Sequence, residues 1–321
     1  MKKYSIVLFN LGGPDSLESV KPFLYNLFSD PDIFKLPFGQ NFFAKLLSST
    51  RVKKVTERYR QIGGKSPILE WTELQRRMLQ KDLNMLTEDF DVYTAMRYSK
   101  PMIREVAQEI NRHDYKKIVL LPLYPHYSVT TTGSSFNEWK RVYNGDDSKL
   151  IYVSDYFDHP KYIKAVNDRI DTALSSFPEE IRQNVQMLFS AHGTPESLEK
   201  KGDPYRRQIV KTVASVMKAR NFSHEYHICF QSKVGPMKWL SPSTDEMIRN
   251  LAERNKDQLL IIPISFVSDQ LETLFELDIE YRALAESSGI DNYAVMQGLN
   301  DSDIFIEALR EIVLESLHLN Y

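Results

Sequence analysis

The chain has 321 residues, 42% of them apolar, and its 41 Lys and Arg against 43 Asp and Glu leave a formal charge of -2. That length and apolar share suit one large or two ordinary domains with a sizeable core, and the lack of a basic excess argues against a nucleic-acid partner. The single cysteine, Cys229, excludes an internal disulfide and points to a reducing compartment, the cytoplasm.

The first apolar run, Ser5–Leu11, follows Met1-Lys2-Lys3-Tyr4 directly. It is short and lacks a small-residue cleavage site, so it reads as a strand and not as a signal peptide. No apolar stretch approaches the ~20 residues that span a bilayer. Between Pro31 and Leu47 lie Ile33, Phe34, Leu36, Pro37, Phe38, Phe42, Phe43, Leu46 and Leu47, with no clear strand pattern. Ser66-Pro67 predicts an N-cap before a first-turn proline, with a helix over 68–83. Strands at Val92–Met96, Ile118–Leu123 and Ile151–Val153 complete a first set of four. A helical pattern over 158–174 leads to a second set, Val185–Ser190, Tyr226–Phe230, Leu259–Ile264 and Asn292–Met296, and a last helix is expected near 302–317.

Strands alternating with amphipathic helices predict parallel sheets covered on both faces. The expected fold class is α/β: two similar Rossmann-like lobes, each a four-stranded parallel sheet flanked by helices, with a cleft between them. The lobes are expected at 1–165 and 166–301, with the terminal helix at about 302–321 packing back on the first. A weak internal echo supports two similar halves. Val119-Leu120-Leu121-Pro122-Leu123-Tyr124 matches Leu260-Ile261-Ile262-Pro263-Ile264-Ser265 in pattern, each as the third strand of its half.

Asn10, Arg97-Tyr98, Tyr124 to Tyr127, His192, Gln231-Ser232 and Ser265 to Asp269 all follow predicted strands. In parallel sheets such ends share one edge, where ligands bind. The most informative stretch is Leu188-Phe189-Ser190-Ala191-His192-Gly193-Thr194-Pro195, followed by Gly202-Asp203-Pro204-Tyr205. By position alone, His192 is equally well read as a strand-end histidine satisfied by backbone. Further on, Ser268-Asp269-Gln270-Leu271-Glu272 opens a segment with Glu272, Glu276 and Glu280 along one side of a helix. Like charges at this interval disfavour an isolated helix, and a solvated acidic face is the ordinary reading. Here Leu271, Leu274, Phe275, Leu277 and Ile279 intervene, so the helix reads as buried. A buried carboxylate row is costly unless it meets cations. One histidine facing such a row can move protons one way and a divalent cation the other. Two nucleotide motifs fail: Gly63-Gly64-Lys65-Ser66 has Tyr59 where a phosphate loop needs glycine, and Leu11-Gly12-Gly13-Pro14 is not GxGxxG.

The histidine and carboxylate segments resemble the ferrochelatase family, in its bacterial type without an iron–sulfur cluster. So do Gly12-Gly13-Pro14, the stretch from Tyr59-Arg60 to Pro67, Tyr124-Pro125-His126-Tyr127-Ser128, and Gln231 to Leu240. The resemblance runs from about Ser5 to Leu309, and the Gln231–Leu240 stretch looks like the branch that uses protoporphyrin IX. It implies a chelatase-like fold and insertion of Fe2+ into protoporphyrin IX to form protoheme with release of two protons, the terminal step of heme biosynthesis. Two pyrrole protons must leave and a hydrated ion must shed water, so a base is needed over a bent macrocycle. The resemblance implies His192 and Glu272 as catalytic pair and metal ligands, and Glu276, Glu280 and Asp269 as an acidic relay on a helix with a π-type segment. It implies Tyr59, Arg97, Tyr124, Trp239, Leu36 and Ser128 as porphyrin contacts. Alternatives stay open at three positions. Arg97 pairs either with a propionate or within a structural salt bridge, Asp269 either orients His192 or caps the helix, and His126 is either a second ligand or a polar surface residue.

The apolar stretch 31–47 is, by the same resemblance, a lip over the porphyrin that also touches the inner face of the cytoplasmic membrane; packing beneath a loop is the other reading. No permanently bound cofactor is expected, with ferrous iron and protoporphyrin IX as substrates. Val129 stands where some relatives carry a cluster cysteine, and one thiolate cannot hold a four-cysteine 2Fe–2S cluster. Gln270 stands where many relatives have histidine. A non-catalytic tetrapyrrole carrier and a related cobalt chelatase are the alternatives; the carboxylate row favours the enzyme, because a carrier has no need of it.

Overall fold

The computed structural model describes residues 3–34, 38–233 and 237–319. The chain divides into two compact units, Met1–Tyr156 with Asn300–Tyr321, and Phe157–Leu299. The first holds strands β1 (Tyr4–Asn10), β2 (Phe90–Met96), β3 (Lys117–Pro122) and β4 (Leu150–Tyr152). Its first five helices are α1 (Val20–Phe28), α2 (Gln40–Gln61), α3 (Ile68–Asn84), α4 (Ile103–Ile110) and α5 (Ser134–Val142). The strands are parallel in the order β2-β1-β3-β4. Central β1 buries Ile6, Val7, Leu8 and Phe9 completely, which is why it reads as an unbroken apolar run and not as an alternation. Val7, Phe9 and Leu120 form one core with Ile103, Val106 and Ile110 of α4 and with Phe136 and Trp139 of α5.

The second unit runs α6 (Pro160–Leu174), β5 (Gln186–His192), α7 (Glu196–Lys200), α8 (Tyr205–Ala219), β6 (Tyr226–Gln231), α9 (Thr244–Glu253), β7 (Gln258–Pro263), α10 (Tyr281–Ser288) and β8 (Asn292–Val295). Its sheet is parallel in the order β6-β5-β7-β8. Leu188, Cys229, Leu259 and Ile261 pack with Ile248 and Leu251 of α9 and with Leu277 and Ala285. The last helix of the chain, α11 (Asp303–Ser316), belongs to the first unit, where it packs on α3 and β3. Ser302 caps it, accepting the Phe305 N–H at 3.3 Å.

The eight strands lie where their apolar runs predict, within a few residues at each end. Helix starts shift for local reasons. The helix expected from 158 begins at Pro160, with proline in its first turn. The N-cap of α3 is Pro67, one residue later than expected, and the Ser66 hydroxyl accepts the Ile68 N–H at 3.4 Å from just outside the helix. Part of the patternless stretch 31–47 is the first turns of α2.

The two sheets repeat one plan in register. Phe9 stands opposite Pro122, and Ser190 opposite Pro263. With the two prolines matched, Leu11-Gly12-Gly13-Pro14 coincides with His192-Gly193-Thr194-Pro195. The second strands agree. Met96 N–H donates to the Pro101 carbonyl at 2.7 Å, and Phe230 N–H to the Pro242 carbonyl at 3.0 Å. The next helix in each half has a glutamate reaching back to the N-cap amide, Glu105 to Met102 at 2.8 Å and Glu246 to Ser243 at 3.0 Å. A π-helical segment follows each third strand, Val129–Gly133 and Glu272–Glu280.

In α11, Phe305, Ile306, Leu309, Ile312 and Val313 are all buried. At roughly 1.5–3 kcal/mol per side chain they contribute on the order of 10 kcal/mol, as much as the whole stability of an ordinary domain. A chain ending at Leu299 is therefore expected to lose amide protection across β1 to β3. Hydrogen exchange there at the full-length rate would refute this account of the packing.

Candidate functional site

His192 is the last residue of β5, at the junction with β7 where the strand order reverses, the place where open parallel sheets bind ligands. Its backbone is pinned from several sides. The His192 N–H donates to Ser265 Oγ at 2.9 Å, and its carbonyl accepts from Tyr205 Oη at 2.9 Å. The next amide, Gly193 N–H, donates to the Gln231 carbonyl at 2.8 Å. A Cβ at Gly193 would stand 2.7 Å from that carbonyl oxygen and 3.4 Å from Trp239 Cε3, so the approach admits only glycine. Beyond it Leu240 N–H donates to the Thr194 carbonyl and Glu196 N–H to the Lys238 carbonyl, both at 3.0 Å. This pairing holds Trp239 beside the turn that follows the histidine.

The Gly-Asp-Pro-Tyr signature acquires a physical reason. Gly202 has φ +94°, Asp203 Oδ1 accepts the Tyr205 N–H at 3.0 Å, and the Tyr205 ring then reaches back to the His192 carbonyl. Tyr205 and Ser265, read from the sequence only as part of a signature and of a strand end, thus hold the backbone of His192 in place.

The imidazole itself is bound differently. Its ring packs edge-on against Phe266, with centroids 6.0 Å apart at 70°. Nδ1 is buried and has no hydrogen-bond partner among the described residues. Burial lowers its pKa from the usual 6.5 to about 4, because the charged form loses its hydration. The ring is therefore neutral at physiological pH, with a lone pair to offer.

Ser265 and Phe266, which touch His192, begin the turn that leads into the π-helix Glu272–Glu280. Five-residue hydrogen-bond steps widen the turn, so side chains four apart stand close to one line. Glu272 and Glu276 are half-buried, and Glu280 is exposed. The apolar residues between them divide: Phe275 and Leu277 are buried, whereas Ile279 faces outward. Asp269 is buried and accepts the Gly298 N–H at 3.1 Å, tying this turn to the loop after β8. The N-cap of the π-helix is Leu271, two residues further on.

The other candidates lie in the first unit. Arg97 is buried, and its guanidinium holds Asp30 at 3.0 Å and Ser134 Oγ at 2.8 Å. Tyr98 Oη donates to the same Asp30 oxygen at 2.5 Å, and Ser134 also donates to it. Of the two readings of Arg97, the geometry supports the structural salt bridge. Ser128 caps the π-helix Val129–Gly133, its Oγ accepting the Thr130 N–H at 3.3 Å. Tyr59 is buried at the end of α2, and burial pushes the Tyr124 hydroxyl pKa up. His126 is buried too, with its pKa lowered to about 3, which corrects the surface reading. Leu36 lies outside the described residues, as do 234–236 of the Gln231–Leu240 stretch. Cys229 is buried beside Thr244, and burial pushes its thiol up to about 12, away from reactivity. Among the described residues, no three His, Cys, Asp or Glu side chains are grouped as metal ligands.

A family model described as Ferrochelatase matches residues 3–317. A ferrochelatase of Aquifex aeolicus (strain VF5) is 48% identical over 98% of this chain and 99% of its own length. One of Synechocystis is 42% identical over 99% of this chain and 84% of its own. Among solved structures, SirB from Bacillus subtilis with Fe3+ has TM-score 0.58 at 13% identity, covering 98% of this chain and 96% of that one. The sirohydrochlorin chelatase SirB of subspecies spizizenii in complex with cobalt gives 0.54 at 10% identity, with 98% and 96% covered. At such identities the likeness speaks to the fold alone.

A half-buried neutral histidine links stability to pH. With the native pKa of His192 at about 4 against 6.5 ordinarily, the unfolded chain binds the extra proton between these values. The stabilisation is complete above pH 6.5 and is lost as pH falls toward 4. His192→Gln should make the unfolding free energy less steep in pH by about 1 kcal/mol per unit between pH 5 and 6. Urea midpoints across that range test it, and an unchanged slope would mean that the native imidazole already takes up the proton.

Proposed function

The chain belongs to the ferrochelatase family, and from that membership we infer that it is an enzyme inserting ferrous iron into protoporphyrin, the iron-insertion step of heme synthesis. Within that activity we propose His192 and Glu272 as the pair that handles metal and protons. The observation that carries the assignment is the His192 ring: neutral, with Nδ1 lacking a hydrogen-bond partner, on a backbone that three neighbouring groups hold still. Insertion replaces two pyrrole N–H bonds by iron–nitrogen bonds and releases two protons. A neutral imidazole has the lone pair to take such a proton in passing, and its depressed pKa makes it give the proton up again readily at neutral pH. The same lone pair is an alternative first ligand for ferrous iron, which also accepts carboxylate oxygen from Glu272.

Trp239, paired to the turn after His192, is the proposed aromatic contact of the second unit with the macrocycle. Tyr59, Tyr124 and Ser128 are the proposed contacts of the first. The exposed Glu280, at the far end of the π-helix, is the proposed first carboxylate to meet the hydrated ion. Phe38, Phe42 and Leu46 recur at four-residue intervals and are 90%, 74% and 51% exposed. We propose them as a peripheral contact with lipid, where an apolar porphyrin dissolves. No helix among the described residues is long and apolar enough to cross a membrane. The cobalt-chelatase reading draws only on the fold shared at 10–13% identity, and the carrier reading has no use for a half-buried imidazole whose Nδ1 lacks a partner among the described residues.

His192→Ala is expected to lower iron insertion about 100-fold or more, as for loss of a positioned base, while protoporphyrin still binds. Loss of porphyrin fluorescence on adding ferrous iron measures the first, and equilibrium quenching without metal the second. Insertion at the parent rate would remove His192 from the mechanism.

A further inference from the structure

Glu276 is the middle carboxylate of the three, and it is fastened. Ser232 N–H donates to its Oε1 at 2.8 Å and Ser232 Oγ to its Oε2 at 2.5 Å. Tyr281 Oη adds a third bond, to Oε1 at 3.1 Å. About three of the roughly four lone-pair positions of the carboxylate are thereby filled. The donors come from two places. Ser232 follows the last residue of β6, and Tyr281 is the first residue of α10, where π geometry gives way to α.

Ser232 has φ +64°, the left-handed region that a residue with a side chain enters only where its surroundings demand it. In that conformation its amide and its hydroxyl both meet one carboxylate. One turn earlier on the same π-helix stands Glu272.

We propose that Glu276 is a positioning residue: it fastens the π-helix to the end of β6 and so sets where Glu272 stands, and it passes neither metal nor protons. This rests on the reading of Glu272 given above. A cation at Glu276 finds only the remaining lone pair of Oε2 beside the Ser232 hydroxyl, and any closer hold on the carboxylate displaces a bond from Ser232 or Tyr281, the bonds that a fixed Glu272 requires.

Two substitutions separate fastening from conduction. In Glu276→Gln the amide oxygen still accepts from Ser232 N–H and Tyr281, and the amide nitrogen donates to a reoriented Ser232 hydroxyl. That variant keeps the fastening and loses the charged, proton-exchanging group. Glu276→Ala loses both. With full-length protein, protoporphyrin and ferrous iron, Glu276→Gln is expected to keep kcat within about threefold of the parent. Glu276→Ala should lose about tenfold or more in kcat, the effect of a broken, part-buried hydrogen-bond set, with the KM for porphyrin unchanged. Ser232→Ala removes one of the three bonds and should fall between them; it also serves if the alanine variant at 276 does not fold. Equal losses in Glu276→Gln and Glu276→Ala would overturn the proposal in favour of conduction. Parent-like kcat in both Glu276→Ala and Ser232→Ala would overturn it as well. A parent chain that fails to consume protoporphyrin would instead sink the wider functional reading, so the two failures are distinguishable.

Discussion

A group that must accept a proton or meet a metal needs a fixed place and a free lone pair, and the two demands conflict if the ring's own hydrogen bonds do the fixing. At His192 the conflict is resolved through the backbone. Ser265, Tyr205 and the β6 carbonyl at Gln231 hold the amides and carbonyl around it, and Phe266 limits the ring by shape alone. A buried polar atom without a partner costs about 1–3 kcal/mol, and the packing of the β5 core beneath it has to offset that. The parallel register of β5 with β6 and β7 is therefore the constraint on which the chemistry depends. A slip of one residue would turn His192 to the opposite face, and Gly193 would no longer meet the carbonyl that only glycine can approach.

The repeated plan of the two halves sharpens the point. The position of His192 in β5 is that of Leu11 after β1, and the glycine and proline that follow recur in both. The same strand order, the same proline-carbonyl bond to the second strand and the same glutamate-capped helix frame both positions. One frame carries the apolar Leu11, whereas the other carries the imidazole. The π-segments after the third strands divide similarly. Val129–Gly133 is short and rich in threonine, and Glu272–Glu280 is long and acidic. Architecture is common to the halves, and the chemistry is a matter of which side chains occupy it.

What could be read beforehand follows from this division. Strands buried on both faces announce themselves as unbroken apolar runs, so β1, β3, β5 and β7 were legible, as was the histidine closing one of them. Pairings across long separations were not. Asp30 and Arg97 are separated in sequence by α2, α3 and β2, and nothing local to Arg97 names its partner. Glu276 reads as one acid of an evenly spaced row, and nothing in that spacing announces its bonds to Ser232 and Tyr281. Periodicity places a side chain on a face but does not say what waits there. For the same reason His126, in a polar and aromatic stretch, gave no sign of its burial.

The first unit is discontinuous: it opens the chain and closes it, with the whole second unit translated in between. At about 5–20 residues per second, that interval lasts on the order of 10–30 s. Throughout it α3 presents to solvent the flank that α11 later covers, while the second unit, continuous in sequence, gains all its parts before α11 is made. Maturation on the ribosome thus runs against the order of synthesis. The half made first is finished last, and its bare flank is the surface a holdase chaperone would meet.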